Sequence, residues 1–140
     1  MRTIKFRGKD AETGEWLVGD IIQRINYFPS ILFPYNSNGK IHYSECAVDT
    51  NTIGQFTGLL DKNDKEIYEG DILTWGKGEH KSAPLIVCFK HGSFGYIYCD
   101  WFYSFAGNTN FTFNPFNTDV RFEVIGNIHD NPELLKGGEK

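Results

Sequence analysis

Apolar and polar residues alternate along much of the chain, and this period of two predicts β-strands separated by turns. Phe94, Tyr96 and Tyr98 would share one face of such a strand. Leu85 to Lys90 is a nearly continuous apolar run, as expected for a strand in the middle of a sheet. The pattern therefore predicts an all-β protein.

Two stretches of the chain are versions of one another. The segment from Asp10 to Ile22 reappears from Asp61 to Leu73, with Asp, Glu, Gly, Asp and Ile at matching places. Each is a turn-forming cluster followed by a Gly-Asp step and an apolar run. We expect Gly19-Asp20 and Gly70-Asp71 to bend the chain where a strand is entered.

Two other segments break the alternation. Between Tyr27 and Lys40, two X-Pro steps and an Asn-rich cluster predict the least regular part of the first half. Near the C-terminus, Asn131 is a good N-cap and Pro132 suits the first helical position. The sequence predicts one short helix there, which ends at Gly137-Gly138.

The composition is that of a globular protein, with 140 residues, 40% hydrophobic and 23% charged. This length suits one domain, or two very small ones that share a core. No stretch approaches the roughly 20 apolar residues of a membrane helix, and Met1 to Lys5 lacks the apolar core of a signal peptide. We expect a cytoplasmic protein without a membrane partner.

The residue types that usually carry chemistry are scattered. Cys46, Cys88 and Cys99 lack metal-ligand spacing and are interpreted as reduced, small hydrophobic residues. His42 lies four residues before Cys46, but the segment has little helical periodicity. We therefore expect neither a metal site nor a cofactor.

Enzymatic motifs are equally weak. Gly76-Lys77-Gly78 lacks the remaining residues of a phosphate loop, and there is no nucleophile elbow. The repeat offers two acid pairs, Asp20 with Asp71 and Glu15 with Glu66, which would form a carboxylate site if the two copies faced each other. An Asp after Gly at a strand entrance more often completes a turn. The prediction is a protein that is not an enzyme.

The net charge of −4 weighs against broad nucleic-acid binding, because that binding depends on cations. A local exception is the N-terminal strand, where Arg2, Lys5, Arg7 and Lys9 alternate with other residues. The simpler interpretation is an edge strand with a solvated face. The alternative is a stripe that contacts phosphates.

The aromatic region from Phe94 to Phe116 allows three roles. Core packing is favoured, a partner-facing surface comes next, and base stacking is weakest because no Lys or Arg lies between Gly92 and Val120. Trp101, Tyr103 and Phe105 share one strand face, and they or the opposite set would be left exposed. Exposed rings of this kind favour a homo-oligomer with these residues at the contact.

Several blocks together resemble the YopX family. They run in order from one end of the chain to the other: Ile4 to Lys9, Thr13 to Trp16, Gly54 to Leu59, Glu66 to Ile72, Glu123 to Ile128 and Asn131 to Leu135. The resemblance implies a small protein of bacteriophages, prophages and their bacterial hosts. It also implies an all-β fold with an SH3-like β-barrel, and it supplies no biochemical activity and no catalytic residue.

The expected architecture has three parts. Residues 1–52 would form an N-terminal β-hairpin layer, residues 53–128 the SH3-like barrel, and residues 129–140 a short helix and tail. Two functions from different classes follow. The first is a non-enzymatic module that binds a phage or host protein and associates with itself. The alternative is a nucleic-acid-binding regulator that uses Arg2, Lys5, Arg7 and Lys9.

Overall fold

The computed structural model describes residues 1–98, 113–116 and 121–135. These residues form antiparallel strands in two sheets and short 3-10 helices, so the predicted all-β class is confirmed. The chain divides into two compact units, Met1–Gly58 and Leu59–Lys140. The predicted division at residues 52 and 128 stays a prediction.

The first unit is built on an antiparallel sheet with the strand order β4-β3-β2-β1-β5. Its strands are β1 (Phe6–Lys9), β2 (Trp16–Ile22), β3 (Ser30–Ser37), β4 (Lys40–Ala47) and β5 (Gly54–Leu60), and a 3-10 helix (Thr50–Thr52) precedes β5. Ile31 and Val48 are completely buried. Gly8 leaves room for them, since an added Cβ would lie 3.2 Å from Val48. With Phe56, they are the buried apolar side chains among the described residues of the first unit.

The segment expected to be irregular instead contributes to the longest hairpin of the first unit. All eight residues of β3 pair with β4, from Ser30 opposite Ala47 to Ser37 opposite Lys40. Pro34 fits into β3 because the neighbouring β2 pairs only with Ser30, Ile31 and Leu32. Proline has no backbone N–H, and it is therefore tolerated in a strand where no N–H is needed to pair with a neighbouring strand. The expectation of an irregular segment was therefore wrong.

The two Gly-Asp steps of the repeat take different conformations. Gly19-Asp20 lies inside the continuous strand β2, so the predicted bend is absent there. A Cβ on Gly19 would collide with the carbonyl oxygen of Leu32 on β3, which explains the glycine by close approach of two strands. Gly70, in contrast, has a φ of 88° and forms the turn before β7. The bend was predicted correctly only at Gly70-Asp71.

The second unit contains the remaining strands: β6 (Glu66–Tyr68), β7 (Asp71–Trp75), β8 (Leu85–Lys90), β9 (Ser93–Tyr98), β10 (Phe113–Pro115) and β11 (Phe122–Asn127). Five of them form a sheet with the order β10-β9-β8-β7-β11. Its core consists of Ile67, Leu73, Leu85, Val87 and Phe122, against which Tyr96, Tyr98 and Phe116 pack. The predicted core role is confirmed for these three rings.

Closure of the second sheet is not observed among the described residues, where the order of its strands has two ends, β10 and β11. The SH3-like barrel over residues 53–128 therefore stays a prediction. The C-terminal helix is present as one 3-10 turn, Pro132–Leu135. Before it, Asn131 Oδ1 accepts a hydrogen bond from the Asn127 N–H at 3.2 Å, and the Asn131 carbonyl accepts from the Leu134 N–H at 3.1 Å.

Candidate interaction surface

Large apolar side chains are exposed most densely on the first unit. Thirteen of them are exposed among the described residues, and six lie between residues 25 and 43. We call these six the hairpin surface: Ile25, Tyr27, Phe28, Tyr35, Ile41 and Tyr43. Their exposed fractions run from 46% for Tyr35 to 88% for Ile25. Exposed apolar groups that share one face, as Ile41 and Tyr43 do on β4, are typical of sites that bind another protein.

A tight turn sets the register of the β3–β4 hairpin. Asn38 and Gly39 both have positive φ, 53° and 75°. This Asn-Gly pair suits the two-residue turn whose twist matches that of the flanking strands. The resulting register places Tyr35 opposite His42, and their rings stack with centroids 5.4 Å apart. Ile41 and Tyr43 therefore point to the opposite face of β4.

The loop between β2 and β3 is held in place by a charged pair. The Arg24 guanidinium donates to both carboxylate oxygens of Glu45, at 2.8 Å and 3.0 Å. Ser30 Oγ also donates to Glu45, at 2.9 Å. These hydrogen bonds, chiefly the one from Arg24, lower the pKa of Glu45, and Glu45 in turn raises the pKa of Arg24. The planar two-point contact orients the loop that carries Tyr27 and Phe28.

A cleft of about 590 Å³ lies beside this pair. It is lined by Arg24, Tyr27, Phe28, Ser30, Glu45 and Ala47. The cleft thus combines two exposed aromatic rings with a charged rim. Aromatic residues and arginine are enriched at protein–protein contacts, so its composition favours a protein ligand.

The strand β4 is the terminal strand of its sheet. It pairs with β3 along its whole length, and within the described ranges no other strand pairs with it. Its last residue is covered, because the Ala11 N–H donates to the Ala47 oxygen at 2.9 Å. An edge strand presents backbone N–H and C=O groups that can pair with another chain. The exposed side chains of Ile41 and Tyr43 lie on this strand.

The predicted basic stripe is only partly assembled. Arg7 and Lys9 lie in β1 and Lys5 lies directly before it, at alternate positions, whereas Arg2 lies four residues before the strand. Arg7 lies over the Trp16 ring at 4.8 Å and Lys9 at 5.4 Å, while Lys5 lies over Phe56 at 5.1 Å. Aromatic rings thus accompany three of the four cations. Their role in nucleic-acid binding stays a prediction.

The predicted self-association site, Trp101, Tyr103 and Phe105, lies outside the described residues. The acid pairs of the repeat occupy different settings. Asp71 is 2% exposed, and its Oδ2 accepts from the Tyr68 N–H at 2.8 Å, whereas Asp20 is exposed in the middle of β2. Asp71 therefore serves the turn that it closes.

Metal binding finds no support in the described parts of the chain, where no group of three or more His, Cys, Asp or Glu side chains could hold an ion. Among the same residues, no helix combines the length and apolar character needed to cross a membrane.

Sequence reasoning missed the hairpin surface. Its signal was present in Asn38-Gly39, a strong hairpin-forming pair, with extended residues on both sides. The two X-Pro steps before that pair obscured the strand, because proline argues against a central strand. Exposure of the six side chains depends on which face meets the core, and the alternation alone does not give this.

Comparison with known proteins gives a family and a solved structure. The family model described as YopX protein matches residues 5–136. The crystal structure of protein EF1440 from Enterococcus faecalis is similar at 28% sequence identity and a TM-score of 0.56, over 96% of this chain and 99% of that one. No curated protein matches the chain.

Proposed function

The chain belongs to the YopX family, and from this premise we propose that it is a non-enzymatic protein-interaction module that associates with a second copy of itself. The observation that carries the proposal is the hairpin surface, with six exposed apolar side chains next to a sheet edge. Edge strands pair through their main chain, and neighbouring side chains supply the selectivity. The second copy would add its own β4 to this edge.

The pattern of β4 fits pairing with itself. Ile41 and Tyr43 are both exposed and lie on the same face of the strand. In an antiparallel copy centred on His42, Ile41 of one strand lies opposite Tyr43 of the other, so that both bury apolar area. Trp101, Tyr103 and Phe105 are the second contact proposed from the sequence.

Light scattering tests the self-association. We expect the wild-type chain to form a salt-resistant dimer, since apolar contacts do not weaken as salt rises. The double substitution Ile41→Thr and Tyr43→Thr should give a monomer with unchanged circular dichroism. Val18→Thr is the matched control, because Val18 is also exposed on a strand but lies outside the hairpin surface.

The outcomes separate the two contacts. A dimer that survives the double substitution but is lost in Trp101→Ala assigns the contact to the aromatic segment instead of β4. A wild-type chain that stays monomeric at all concentrations contradicts self-association altogether.

We further place the protein in the cytoplasm of a bacterial host, as an accessory protein encoded by a bacteriophage or prophage, with a phage or host protein as its other partner. Residues 53–128 are proposed as its SH3-like barrel. Support comes from the family and from the similarity to a protein of a bacterium, Enterococcus faecalis.

A nucleic-acid-binding regulator is the second candidate. The observation in its favour is that Lys5, Arg7 and Lys9 accompany aromatic rings along one strand. In this candidate Arg2 extends the stripe. Single-stranded and duplex oligonucleotides added to the light-scattering experiment would then bind at low salt and dissociate at high salt. Binding that ignores salt, or no binding, contradicts this candidate.

A further inference from the structure

A second cluster of cations lies in the second unit, around the exposed ring of Trp75. The space beside that ring has a volume of about 460 Å³, and we call it the Trp75 pocket. It is lined by Lys62, Asn63, Trp75, Gly76, Lys77 and Arg121. Among the described residues, three cations and no carboxylate line it, although the whole chain has a net charge of −4.

The backbone around the Trp75 pocket is fixed. Trp75 exchanges two hydrogen bonds with Ser82, its N–H donating to Ser82 Oγ at 3.0 Å and its oxygen accepting from the Ser82 N–H at 2.8 Å. Gly76 has a φ of 94°, and a Cβ there would collide with the oxygen of His80. The loop after β7 is therefore closed at its base. This closure fixes the backbone of Trp75, whose side chain is 40% exposed.

The opposite wall is equally defined. The Lys62 N–H donates to the Phe122 oxygen at 2.8 Å, and the Arg121 guanidinium donates to the Lys62 oxygen at 3.4 Å. Lys62 Nζ also lies 3.3 Å from Glu123, a carboxylate that lies 3.7 Å from Lys81 as well. One carboxylate shared between two ammonium groups leaves the cluster with an excess of positive charge. An anion is the ligand that this excess attracts.

We propose that the Trp75 pocket binds a nucleoside phosphate, with the base stacked on Trp75 and the phosphate held by Lys62, Lys77 and Arg121. A planar base stacks on an aromatic face, and a guanidinium binds phosphate oxygens at two points. The volume also lies within the range of small-molecule sites. The ligand is either a free nucleotide or a nucleotide of a single strand, because both present the same base and phosphate.

Calorimetric titration tests the proposal with four probes: ATP, AMP, inorganic phosphate and a short single-stranded DNA oligonucleotide. Lys77→Gln should weaken ATP or oligonucleotide binding about tenfold, the size of one lost contact to a charged group. Trp75→Leu should weaken it by a similar factor, since base stacking is lost. Lys90→Gln is the matched control, because it removes the same charge from an exposed strand end in the same unit.

Each outcome decides the matter. Tight ATP and AMP binding identifies a free nucleotide as the ligand, and binding of the oligonucleotide alone identifies a single strand. The proposal is overturned if no probe binds, if inorganic phosphate binds as well as both AMP and the oligonucleotide, or if Lys90→Gln weakens binding as much as Lys77→Gln. Loss of binding in Lys9→Gln, with Lys77→Gln unchanged, would assign the ligand to the N-terminal strand. If Trp75→Leu fails to fold, Lys77→Gln still gives the answer, since its side chain is on the exposed loop.

Discussion

Asp10 and Asp61 each begin a turn in which a carboxylate oxygen accepts hydrogen bonds from backbone N–H groups farther along the chain. In the first unit Asp10 Oδ1 accepts from Glu12 and Thr13, at 2.8 Å and 3.2 Å. In the second unit Asp61 Oδ1 accepts from Asn63 and Lys65, at 2.7 Å and 2.9 Å. The same residue type thus starts both copies of the repeat in the same way.

The environments of the two carboxylates differ. Asp61 is only 6% exposed, and its second oxygen accepts from the Val124 N–H at 3.0 Å. Burial raises the pKa of Asp61, but the N–H groups of Val124, Lys65 and Asn63 together lower it more, so the net pKa lies below its ordinary value. Asp10 makes its side-chain bonds on the surface. The carboxylate of a repeated turn can therefore bond within its turn in one unit and reach a distant strand in the other.

The turns also differ in length by one residue, so that residues which match in sequence after the turn no longer match in structure. The Asp10 N–H donates to the Glu15 oxygen, whereas the Asp61 N–H donates to the Lys65 oxygen. Glu15 and Glu66, which match in sequence, consequently occupy different places, one closing a turn and the other opening β6. Matching letters do not imply matching hydrogen bonds here.

Removal of the Asp61 carboxylate gives the largest expected difference between the turns. Asp61→Ala should lower the free energy of unfolding by about 3 kcal/mol, because buried N–H groups lose their acceptor. Asp10→Ala, its matched control, should cost about 1 kcal/mol or less, since water replaces the carboxylate at the surface. Urea unfolding of both variants measures the difference. Equal costs would show that the bond to Val124 contributes nothing.

Acid should lower the free energy of unfolding by protonating the Asp61 carboxylate. We expect this effect to be smaller than that of Asp61→Ala. A lowered folded-state pKa means that stability is fully present above the unfolded pKa of about 3.9 and is lost as pH falls through the folded value. Urea midpoints measured from pH 6 to pH 2 should therefore fall less in Asp61→Asn than in the wild type. Identical pH profiles of the two chains would contradict the assignment.

The left-handed position of each turn offers the smallest and sharpest test. Gly14 has a φ of 75° and Asp64 a φ of 63°, and each donates its N–H to the first carbonyl of its turn, Gly14 to Asp10 at 2.9 Å and Asp64 to Asp61 at 3.0 Å. Because glycine adopts this conformation without steric cost, Asp64→Gly should raise the free energy of unfolding by about 0.5 kcal/mol. Asp64→Asn controls for the lost charge, and thermal unfolding measures both variants. If the Asn and Gly variants gain equally, charge and not backbone conformation is the cause.

Much of the fold follows from the period of two, while its exceptions depend on pairing between distant residues. The core of the second unit and the turn at Gly70-Asp71 could be predicted, because their apolar run and turn residues are local signals. The straight path of β2 through Gly19 could not, since that glycine accommodates the Leu32 carbonyl of another strand. The strand around Pro34 could not be predicted for a related reason. Its proline is tolerated because β2 pairs with β3 only as far as Leu32.

The candidate surfaces were less accessible to sequence reasoning. The basic strand could be found from the spacing of its cations, but the rings of Trp16 and Phe56 that accompany them come from other strands. The Trp75 pocket brings together Lys62, Lys77 and Arg121 from three separate segments. Because these residues lie far apart along the chain, no local sequence pattern could predict the cluster.

The bond between Asp61 and Val124 also has a consequence for the order of events during synthesis. The Asp10 carboxylate has its partners once Thr13 has left the ribosome, whereas the Asp61 carboxylate needs a partner 63 residues later. At a synthesis rate of about 5–20 residues per second, that partner follows roughly 3 to 13 seconds after Asp61. During this interval the Asp61 carboxylate lacks its hydrogen bond from Val124. We therefore expect the nascent chain to acquire a protease-resistant first unit well before the second.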